Sequence, residues 1–585
     1  MIKTKKHYKI QFGDKIFEAS EYQDEIFNNV QYGTGNMIIN AAAGSSKTTT
    51  IVNCIGMIPD NEKILYVAFN KNIVEAITDK IGKKNNVNIM TFHSLGFSIL
   101  TETCTIGNIN EYKYKNYIKN NISILSTHSI TDLHKGFMTY LRNIENLCDY
   151  ARYYSELSEN GIARIAWKYG LVLIDDEIKI CQKVLRWGME NYKDEIDFTD
   201  MLWLPNILNL ITKRHQYDRI FIDEAQDTSV IEQMLIEKTF KRGARLTVVG
   251  DTNQSINIWC GASEEAIDQF KQIPNTKEFL LPISYRCPKK IVEIATEYSD
   301  NIKASDDAIE GIINYDVNKY LPTDGDMVLC RTTAPLIKLH IDYLRGNKKS
   351  YIRGFENIKE QYLSLIENTQ SKTIDKNCIT SNGMFPELYK ELLRQIEYVE
   401  KNYNLTYEDA LEDPSIFSLY DAIEGIDVLS EGLKTVQELK DKINAIFNGY
   451  IEDGIQLSTA HKAKGLEADN VYILRPSLMP LSFAKKEWEI KTERNLLYVA
   501  ITRSKKTLNF IKEDVGDRYK LKGIKKHIVE IKDKLKYNSD NDIKENKDII
   551  TYMPTISKKL GEEKEKVSII NKKKKGGMKM AMLLK

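Results

Sequence analysis

The chain has 585 residues, of which 42% are hydrophobic and 28% are charged, the balance of a soluble globular protein. This length is too great for one hydrophobic core and predicts roughly three or four domains. The formal net charge of +1 gives no sign of a generally basic protein, so any anionic partner would have to be held in a local groove.

Cysteine usage and the N-terminal residues indicate the compartment. The eight cysteines are scattered without a Cys-x-x-Cys pair, which argues against a zinc knuckle, an iron–sulfur cluster or a secreted disulfide framework. The N-terminus, "MIKTKKHYKIQFGD", is basic but lacks the apolar run of a signal peptide, and no stretch is apolar enough to cross a bilayer. We therefore expect a cytoplasmic protein with no membrane partner.

Short, β-rich apolar runs alternate with helical patterns in two separate regions, which predicts two α/β cores with parallel sheets of the doubly wound type. The predicted strands of the first region are 36–41, 63–69, 87–92, 217–223 and 245–251. Those of the second region are 326–331, 455–461, 470–475 and 507–511. A mostly helical insertion interrupts each region, at about 104–195 and about 345–450.

The stretch "INAAAGSSKTTTIVN" (39–53) has the features of a phosphate-binding loop between a strand and a helix. Such a loop curls backbone N–H groups around phosphate oxygens at a helix N-terminus, while a lysine reaches the β and γ phosphates. Lys47 supplies the lysine and Thr48 a hydroxyl suited to Mg²⁺. Ala41 and Ser46 replace the usual first and last glycines, so the loop taken alone fits an ordinary strand–helix turn equally well.

A second stretch, "YDRIFIDEAQDTS" (217–229), favours the nucleotide interpretation. Its apolar strand ends in Asp223 and Glu224, at the edge where a doubly wound sheet binds its ligands. Asp223 would hold Mg²⁺ through water, and Glu224 could accept the proton of the attacking water. An acidic turn after a strand is the plainer alternative for two carboxylates.

Three further stretches in chain order add polar groups suited to a triphosphate. "VVGDTNQSINIWCGA" (248–262) places Gln254 after a strand, where it could sense the γ-phosphate. "LPISYRCP" (281–288) joins Tyr285 to Arg286, and "ERNLLYVAITRSKK" (493–506) supplies Arg503 at the end of an amphipathic helix. Arginines from outside the loop suit charge on a transferring phosphoryl group, although isolated arginines are more often surface ion pairs.

The whole ordered set resembles superfamily 1 helicases of the UvrD/Rep branch. The resemblance runs from "SEYQDEIF" (20–27) to "YVAITRSKK" (498–506), excluding both insertions and the tail. It rests on segments that occur in family order, namely "VAFNKNIVEAI", "TFHSLG", "DFTDML", "IDEAQD", "VGDTNQSI", "SYR", "STAHKAKGLEADNVYIL" and "LLYVAITRS".

The resemblance implies two RecA-like domains with ATP between them, each domain split by its insertion. The expected parts are 1–103 and 196–286 for domain 1A, 104–195 for insertion 1B, 287–345 and 451–535 for domain 2A, 346–450 for insertion 2B, and 536–585 for a flexible lysine-rich tail. Most often such a lysine run is simply solvated, and the alternative is non-specific contact with nucleic acid.

The resemblance also assigns the ATP and Mg²⁺ site. Gln23 would recognise the adenine, Tyr285 would stack on it, and Glu467 would touch the sugar side of the nucleotide. The expected catalytic residues are Lys47, Asp223, Glu224, Gln254, Arg286 and Arg503, and the expected Mg²⁺ ligands are Thr48 and Asp223. The expected loop residues are Ala41, Ala42, Ala43, Gly44, Ser45, Ser46, Lys47, Thr48 and Thr49.

In similar proteins single-stranded DNA lies across the top of both cores. The matching residues here are Asn70, Thr91, Phe92, His93, Trp259, Thr459 and His461. Stacking a base on an aromatic ring contributes roughly 1–3 kcal/mol and tolerates any sequence, as a motor requires. Core packing is the alternative for Phe92 and Trp259.

Three positions depart from the family pattern. Ser46 replaces a loop glycine, where we expect its hydroxyl to be tolerated as a helix cap. Asn257 stands where the family often has a base-stacking aromatic residue, and Cys260 stands where it usually has an arginine.

The string "TAHKAKGLE" (459–467) is closer to the 3′→5′ branch than to the 5′→3′ branch. We therefore expect a monomeric motor that moves 3′→5′ on single-stranded DNA and unwinds tailed duplexes in replication, recombination or repair, without a nuclease. Two alternatives remain. One is a DNA-stimulated ATPase that strips proteins without separating strands, and the other is a regulator that binds nucleotide without hydrolysing it.

Overall fold

The computed structural model of the protein describes residues 7–12, 15–82, 84–126, 137–169, 171, 176–256, 266–375, 383–403, 406–448, 453–481, 484, 487–512 and 525–531. In chain order the strands are β1 (Lys9–Phe12), β2 (Lys15–Glu18), β3 (Asn36–Ala41), β4 (Ile64–Ala68), β5 (Val87–Thr91), β6 (Asn108–Ile109), β7 (Glu195–Ile196), β8 (Tyr217–Ile222), β9 (Phe240–Gly250), β10 (Thr276–Leu281), β11 (Ile283–Ser284), β12 (Lys303–Ala304), β13 (Ile312–Val317), β14 (Met327–Cys330), β15 (Ser350–Ile352), β16 (Ile455–Thr459), β17 (Ala468–Ile473) and β18 (Ser504–Ile511).

The α-helices are distributed around and between these strands. In chain order they are α1 (Glu21–Tyr32), α2 (Lys47–Gly56), α3 (Lys71–Ile81), α4 (Phe92–Thr103), α5 (Lys113–Leu125), α6 (Phe137–Tyr153), α7 (Glu159–Lys168), α8 (Glu177–Glu190), α9 (Phe198–Ile207), α10 (Val230–Glu237), α11 (Ala266–Lys271), α12 (Lys289–Ala295), α13 (Ala334–Arg345), α14 (Phe355–Asn368), α15 (Met384–Tyr403), α16 (Tyr407–Ala410), α17 (Pro414–Leu429), α18 (Val436–Asn448) and α19 (Glu487–Ile501).

Two six-stranded sheets form the centres of the molecule. The first has the order β10-β3-β9-β8-β4-β5 and the second the order β13-β18-β17-β14-β16-β15. Every strand pair within both sheets is parallel. All five residues of β4 are buried, as a strand with helices on both faces of its sheet requires.

The fold class predicted from the sequence is confirmed, and each of the nine predicted strands is present within a residue or a few at its ends. Several strands were not predicted. Among these, β13 has a largely exposed pattern and β15 only three residues, so neither forms an apolar run that periodicity can detect. The strand β10 lies at the edge of the first sheet, where one side is free of a neighbour and polar residues are tolerated.

The first helical insertion, here α5–α8, leaves and re-enters the first core through two paired segments. The short strands β6 and β7 run parallel beside each other, so the entry and exit of the insertion lie together. A buried ion network fastens it further. Arg152 on α6, only 1% exposed, donates to both carboxylate oxygens of Asp197 at 2.7 Å and approaches Asp200 at 3.1 Å. The Lys113 ammonium on α5 also donates to Asp200, at 2.7 Å.

The second helical insertion, here α14–α18, is fastened by apolar packing instead. Val328 and Leu457 of the second sheet share one hydrophobic cluster with Leu392 of α15 and Ile423 of α17. A helical segment at 525–531 adds the fully buried Ile528 to the same cluster. The second insertion and the second sheet therefore share one core.

Among the described residues, no helix is both long and apolar enough to cross a membrane.

The ion network makes a prediction about the first insertion. Arg152→Met leaves Asp197 and Asp200 buried beside each other with one cation removed, which destabilises a protein by about 3–5 kcal/mol in comparable buried pairs. We expect amide hydrogen exchange in α5, α6 and α8 to accelerate accordingly.

Arg164→Met on the neighbouring helix α7 is the matched control, because that arginine side chain is 76% exposed and approaches Glu156 only at 3.8 Å. Its effect should stay within about 0.5 kcal/mol. Equal exchange rates in the two variants would show that the network does not hold the insertion.

Candidate functional site

Strand order brings the polar segments that follow three strands together at one edge of the first sheet. The strands β3, β9 and β8 are neighbours in that order. The phosphate-type loop follows β3, Asp251 follows β9, and Asp223 follows β8. Because neighbouring strands lie about 5 Å apart and parallel strands end at the same edge, the loop and both carboxylates lie close together, and the loop and Asp223 line one cleft.

The loop is shaped by a close approach of the segment that carries Tyr285 and Arg286. Gly44 has a φ of +73°, and a β-carbon there would lie 2.6 Å from the Arg286 Cβ and 2.8 Å from the Ser284 Oγ. The Tyr285 N–H also donates to the Gly44 carbonyl at 2.9 Å. Gly44 is therefore required both by its left-handed backbone and by the lack of space.

Ser46 differs from the expectation drawn from the sequence. Its φ is +62° and its ψ +34°, in the left-handed region, and its side chain makes no capping hydrogen bond to α2. The proposed capping role for this hydroxyl was wrong, because a residue in this conformation does not have the extended backbone that an N-cap adopts. A glycine adopts this conformation without a steric penalty, which explains the usual residue at this position.

The two adjacent carboxylates have different electrostatic surroundings. Asp223 is 3% exposed and accepts a hydrogen bond from the Tyr66 hydroxyl at 2.6 Å. Burial, followed by the nearby Glu224 charge, raises the pKa of Asp223. Burial acts on Glu224 in the same direction, but the positive charges of Lys47, 3.5 Å away, and of Lys464 outweigh it and hold its pKa below the usual range. Glu224 therefore stays ionised well below neutral pH, whereas Asp223, with its pKa raised to about 6, takes up a proton more readily on acidification.

The second core contributes cations to this cleft. Arg503, at the end of α19 and 1% exposed, donates to the Gln254 side-chain oxygen at 3.4 Å. Lys464 donates to the Gln254 backbone carbonyl at 2.7 Å and also to the Asp227 carboxylate. Burial and the neighbouring Arg286 charge lower the pKa of Arg503 to about 10, so it remains charged at neutral pH.

The expected catalytic residues meet in one cleft of about 450 Å³. Its lining includes Lys47, Thr48, Asp223, Glu224, Gln254, Arg286 and Arg503. Arg286 is held there by Glu467, whose carboxylate accepts from its Nε at 2.7 Å. The structure thus brings together six residues predicted to be catalytic that lie up to 456 positions apart in the chain (503 − 47).

A smaller pocket adjoins the loop where the adenine was expected. Gln23, Ser45 and the half-exposed Tyr285 line it. The Gln23 amide donates to the Thr50 hydroxyl at 3.0 Å, and that hydroxyl donates to the Ser46 carbonyl at 3.0 Å. Gln23 is therefore already oriented by the first turn of α2.

The side chains of the cleft are chemically suited to a nucleoside triphosphate with Mg²⁺. The Ser45 hydroxyl is buried without a hydrogen-bond partner among the described residues, and it lines both pockets. No group of three or more metal-binding side chains occurs within the described ranges. Mg²⁺ keeps waters and phosphate oxygens as ligands and needs only one or two protein groups, and the Thr48 and Asp223 oxygens in the lining of the cleft are of the kind that it binds.

The residues expected to contact DNA lie at the ends of β4, β5 and β16. Asn70 is exposed and caps α3 by accepting from the Ile73 N–H at 3.0 Å, and Thr91 caps α4 through the Ser94 N–H at 3.1 Å. Thr459 ends β16. Asn70 and His461 also line the nucleotide cleft. Burial and the Arg331 charge lower the pKa of His461 to about 3, so it acts as a neutral hydrogen-bonding group.

Phe92 is buried in this structure. Its side chain is 2% exposed and packs in the cluster behind the first sheet with Leu95 and Ile222. An aromatic ring enclosed in this way presents no free face to a base, which favours the core-packing alternative. Trp259, with Asn257 and Cys260, lies outside the described residues.

The structure also identifies groups that the sequence did not single out. Phe198 is 49% exposed, and its ring contacts the His93 ring edge-on with centroids 6.5 Å apart, so an exposed aromatic side chain lies beside one of the residues expected to contact DNA. Phe198 lies in the family segment "DFTDML", and this position could have identified it from the sequence. Lys464, in the "TAHKAKGLE" string, is a second residue that the sequence did not single out. Its contact with Asp227 joins the two cores and is visible only in the folded structure.

Two family models match the chain. Residues 22–275 match the UvrD/REP helicase N-terminal domain, and residues 454–511 match the UvrD-like helicase C-terminal domain. These matches include every residue of the cleft described above from Gln23 to Gln254, and then Glu467 and Arg503.

Similar proteins extend the match over most of the chain. A probable DNA helicase II homolog of Mycoplasma genitalium is 25% identical over 82% of this chain and 83% of its own length. ATP-dependent DNA helicase Rep of Buchnera aphidicola subsp. Acyrthosiphon pisum is 23% identical over 83% of this chain and 93% of its own length. ATP-dependent DNA helicase PcrA of Staphylococcus aureus is 24% identical over 81% of this chain and 80% of its own length.

The conformation of Ser46 leads to a prediction about stability. Ser46→Gly removes a left-handed non-glycine residue and should stabilise the first core by about 1 kcal/mol, or roughly 2 °C in Tm. Thermal unfolding followed by tryptophan fluorescence measures the change.

Ser45→Gly is the matched control, because Ser45 lies outside the left-handed region. There glycine adds freedom to the unfolded chain, worth about 0.5–1 kcal/mol, and the loss of the buried Ser45 hydroxyl offsets only part of it, so this variant should be less stable than Ser46→Gly. A loss of stability in both variants would contradict the account given for Ser46.

Proposed function

The chain belongs to the UvrD/REP helicase family, and from this premise we propose that it is an ATP-dependent DNA helicase that hydrolyses ATP in the cleft between its two cores. One observation carries the proposal. Arg503 and Lys464 of the second core reach the same cleft as Lys47, Asp223 and Glu224 of the first. A site divided in this way links the state of the nucleotide to the relative position of the two cores.

Each side chain has a role in the proposed hydrolysis. The N–H groups of the loop and Lys47 hold the phosphates, while Thr48 and Asp223 hold Mg²⁺, which supplies charge neutralisation on the phosphate oxygens. Glu224 is ionised and therefore able to accept the proton of the attacking water.

Three further groups surround the transferring phosphate. Arg286 and Arg503 stabilise the charge that develops on it, an effect worth roughly 10³–10⁵ in rate for such arginines. Gln254 is held between Asp251, which accepts from its amide at 2.7 Å, and Arg503. Its position supports the role of a sensor for the γ-phosphate.

Single-stranded DNA is proposed to lie across the exposed ends of β4, β5 and β16. Neutral His461, Asn70 and Thr459 offer hydrogen bonds there, and Phe198 offers an aromatic face. Polar contacts of this kind hold the strand without reading its sequence. Asn70 and His461 line the nucleotide cleft as well, which supports coupling between the DNA and ATP sites.

Two parts of the proposal rest on the sequence. The string "TAHKAKGLE" supports movement in the 3′→5′ direction, and the free cysteines of the described residues support a reducing compartment such as the cytoplasm. Domain parts 1A, 1B, 2A and 2B are proposed with the boundaries given in the sequence analysis, except that 2B begins after β15, because that strand belongs to the second sheet.

Replacing the proposed base separates binding from hydrolysis. Glu224→Gln keeps the size of the side chain but cannot accept a proton, so the ATP hydrolysis rate should fall by at least about 10²-fold. Filter binding should still detect ATP bound to the Glu224→Gln variant.

Lys47→Ala should abolish turnover through loss of the cation that holds the phosphates.

Glu278→Gln is the control for Glu224→Gln, because that carboxylate lies on the exposed part of β10 and, within the part of the chain that the structure describes, pairs only with Lys271, at 3.4 Å. Its hydrolysis rate should equal that of the unchanged protein. Normal turnover by Glu224→Gln would remove the assignment of the base.

Direction and strand separation are tested together with tailed duplexes. We expect single-stranded DNA to stimulate ATP hydrolysis, and a duplex with a 3′ tail to be unwound faster than one with a 5′ tail. A preference for the 5′ tail would reverse the proposed direction. Stimulation without unwinding would indicate the protein-stripping translocase, and hydrolysis absent with and without DNA would indicate the regulator.

A further inference from the structure

The helix α19 of the second core presents polar side chains to the first core. Asn495, Tyr498 and Arg503 lie at 4%, 0% and 1% exposure, respectively, and each hydrogen-bonds a residue of the first core. Arg503 already has a role in the proposed site. Asn495 and Tyr498 do not, although burying two polar side chains in one interface is costly unless their hydrogen bonds are made.

The Tyr498 hydroxyl joins two parts of the nucleotide site. It accepts a hydrogen bond from the Ala43 N–H of the phosphate loop at 3.2 Å and donates one to the Asp251 carboxylate at 3.4 Å. Burial, followed by the Asp251 charge, raises the pKa of Tyr498 well above its usual value. The hydroxyl therefore keeps its proton and can make both bonds at once.

Asp251 extends these contacts to the catalytic groups. Its Oδ2 also accepts from the Gln254 amide at 2.7 Å, and its N–H donates to the Gln226 side-chain oxygen at 3.0 Å. The Gln226 amide in turn donates to the Glu224 carboxylate at 2.5 Å. One continuous set of hydrogen bonds thus runs from the phosphate loop through Tyr498 to the proposed base.

Asn495 holds the neighbouring segment from the same helix. Its amide donates to the Ser255 carbonyl at 2.9 Å and to the Thr252 carbonyl at 3.3 Å, the two ends of the turn that carries Gln254. Asn495 and Tyr498 are three residues apart on α19 and therefore lie on one face of the helix. That face of α19 therefore hydrogen-bonds both the turn that carries Gln254 and the phosphate loop.

We propose that Tyr498 is a positioning residue for ATP hydrolysis, which sets the phosphate loop against Asp251 and so fixes Gln254 and Glu224 in their reactive arrangement. The inference rests on the proposed function, since it assigns Tyr498 to that same reaction. Tyr498 touches no substrate atom in this scheme. It acts through the loop and through Asp251, and it transmits the position of the second core to the base in the first.

The test is Tyr498→Phe in the full chain, which keeps the ring and removes only the hydroxyl. The Ala43 N–H and the Asp251 carboxylate each lose a partner, so we expect kcat for DNA-stimulated ATP hydrolysis to fall about tenfold, with KM for ATP changed less than about twofold. In the same variant without nucleotide, amide hydrogen exchange should accelerate in the segments 41–46 and 251–255.

Tyr343→Phe is the matched control. Tyr343 is likewise 0% exposed in the second core, and its hydroxyl donates to the Lys319 carbonyl at 2.6 Å, away from the cleft. A similar loss of thermal stability is expected there, with kcat unchanged and no faster exchange in the two segments.

Several outcomes would overturn the proposal. One is a kcat in Tyr498→Phe within twofold of the unchanged protein, and another is an equal loss of kcat in Tyr343→Phe. A rise in KM at constant kcat would show that Tyr498 serves nucleotide binding instead. If the unchanged protein does not hydrolyse ATP, the proposed function fails, and hydrogen exchange alone still decides whether Tyr498 positions the loop.

Discussion

The electrostatic balance of one cleft depends on both cores. Arg503 is buried and keeps its charge, and burying a cation costs several kcal/mol unless opposite charges or dipoles face it. The facing groups, Gln254 and Glu224, belong to the first core, and Glu224 in turn is held ionised by Lys47 and Lys464. Arg503 also donates to the Val499 and Leu466 carbonyls of its own core, so groups of both cores share in compensating its charge. The cleft therefore stabilises one arrangement of the two cores, and a change of charge within it, such as loss of a phosphate, alters the energy of that arrangement.

Sheet topology places the proposed nucleotide site and the proposed DNA surface within a few strands of each other. In the first sheet β3, β9 and β8 end at the proposed nucleotide site, and the next strands, β4 and β5, end near Asn70 and at Thr91. The strands that carry the two sites are joined by continuous parallel pairing within one sheet. His461 and Asn70 belong to both surfaces.

The two helical insertions are attached by different physical means. Arg152 fastens the first through charges fully removed from water, a contact with strict geometry that allows little sliding. The second shares an apolar cluster with its sheet, completed by Ile528 near the end of the described chain. Dispersion and hydrophobic contacts have little directional preference, so this joint tolerates substitution of similar volume better than the first.

The amino-acid sequence by itself determined the fold class, the strands with apolar cores and the chemical groups of the nucleotide site, because these follow from local periodicity and from short motifs such as "AGSSKT" and "IDEAQD". It could not decide the role of Phe92, since core packing and base stacking call for the same residue, and only the enclosing Leu95 and Ile222 distinguish them. The close packing around Gly44 was equally hidden, because Arg286, which approaches it, lies 242 residues further on in the chain (286 − 44). Tertiary structure alone assigned Tyr498, whose two hydrogen bonds exist only when α19 meets the first core.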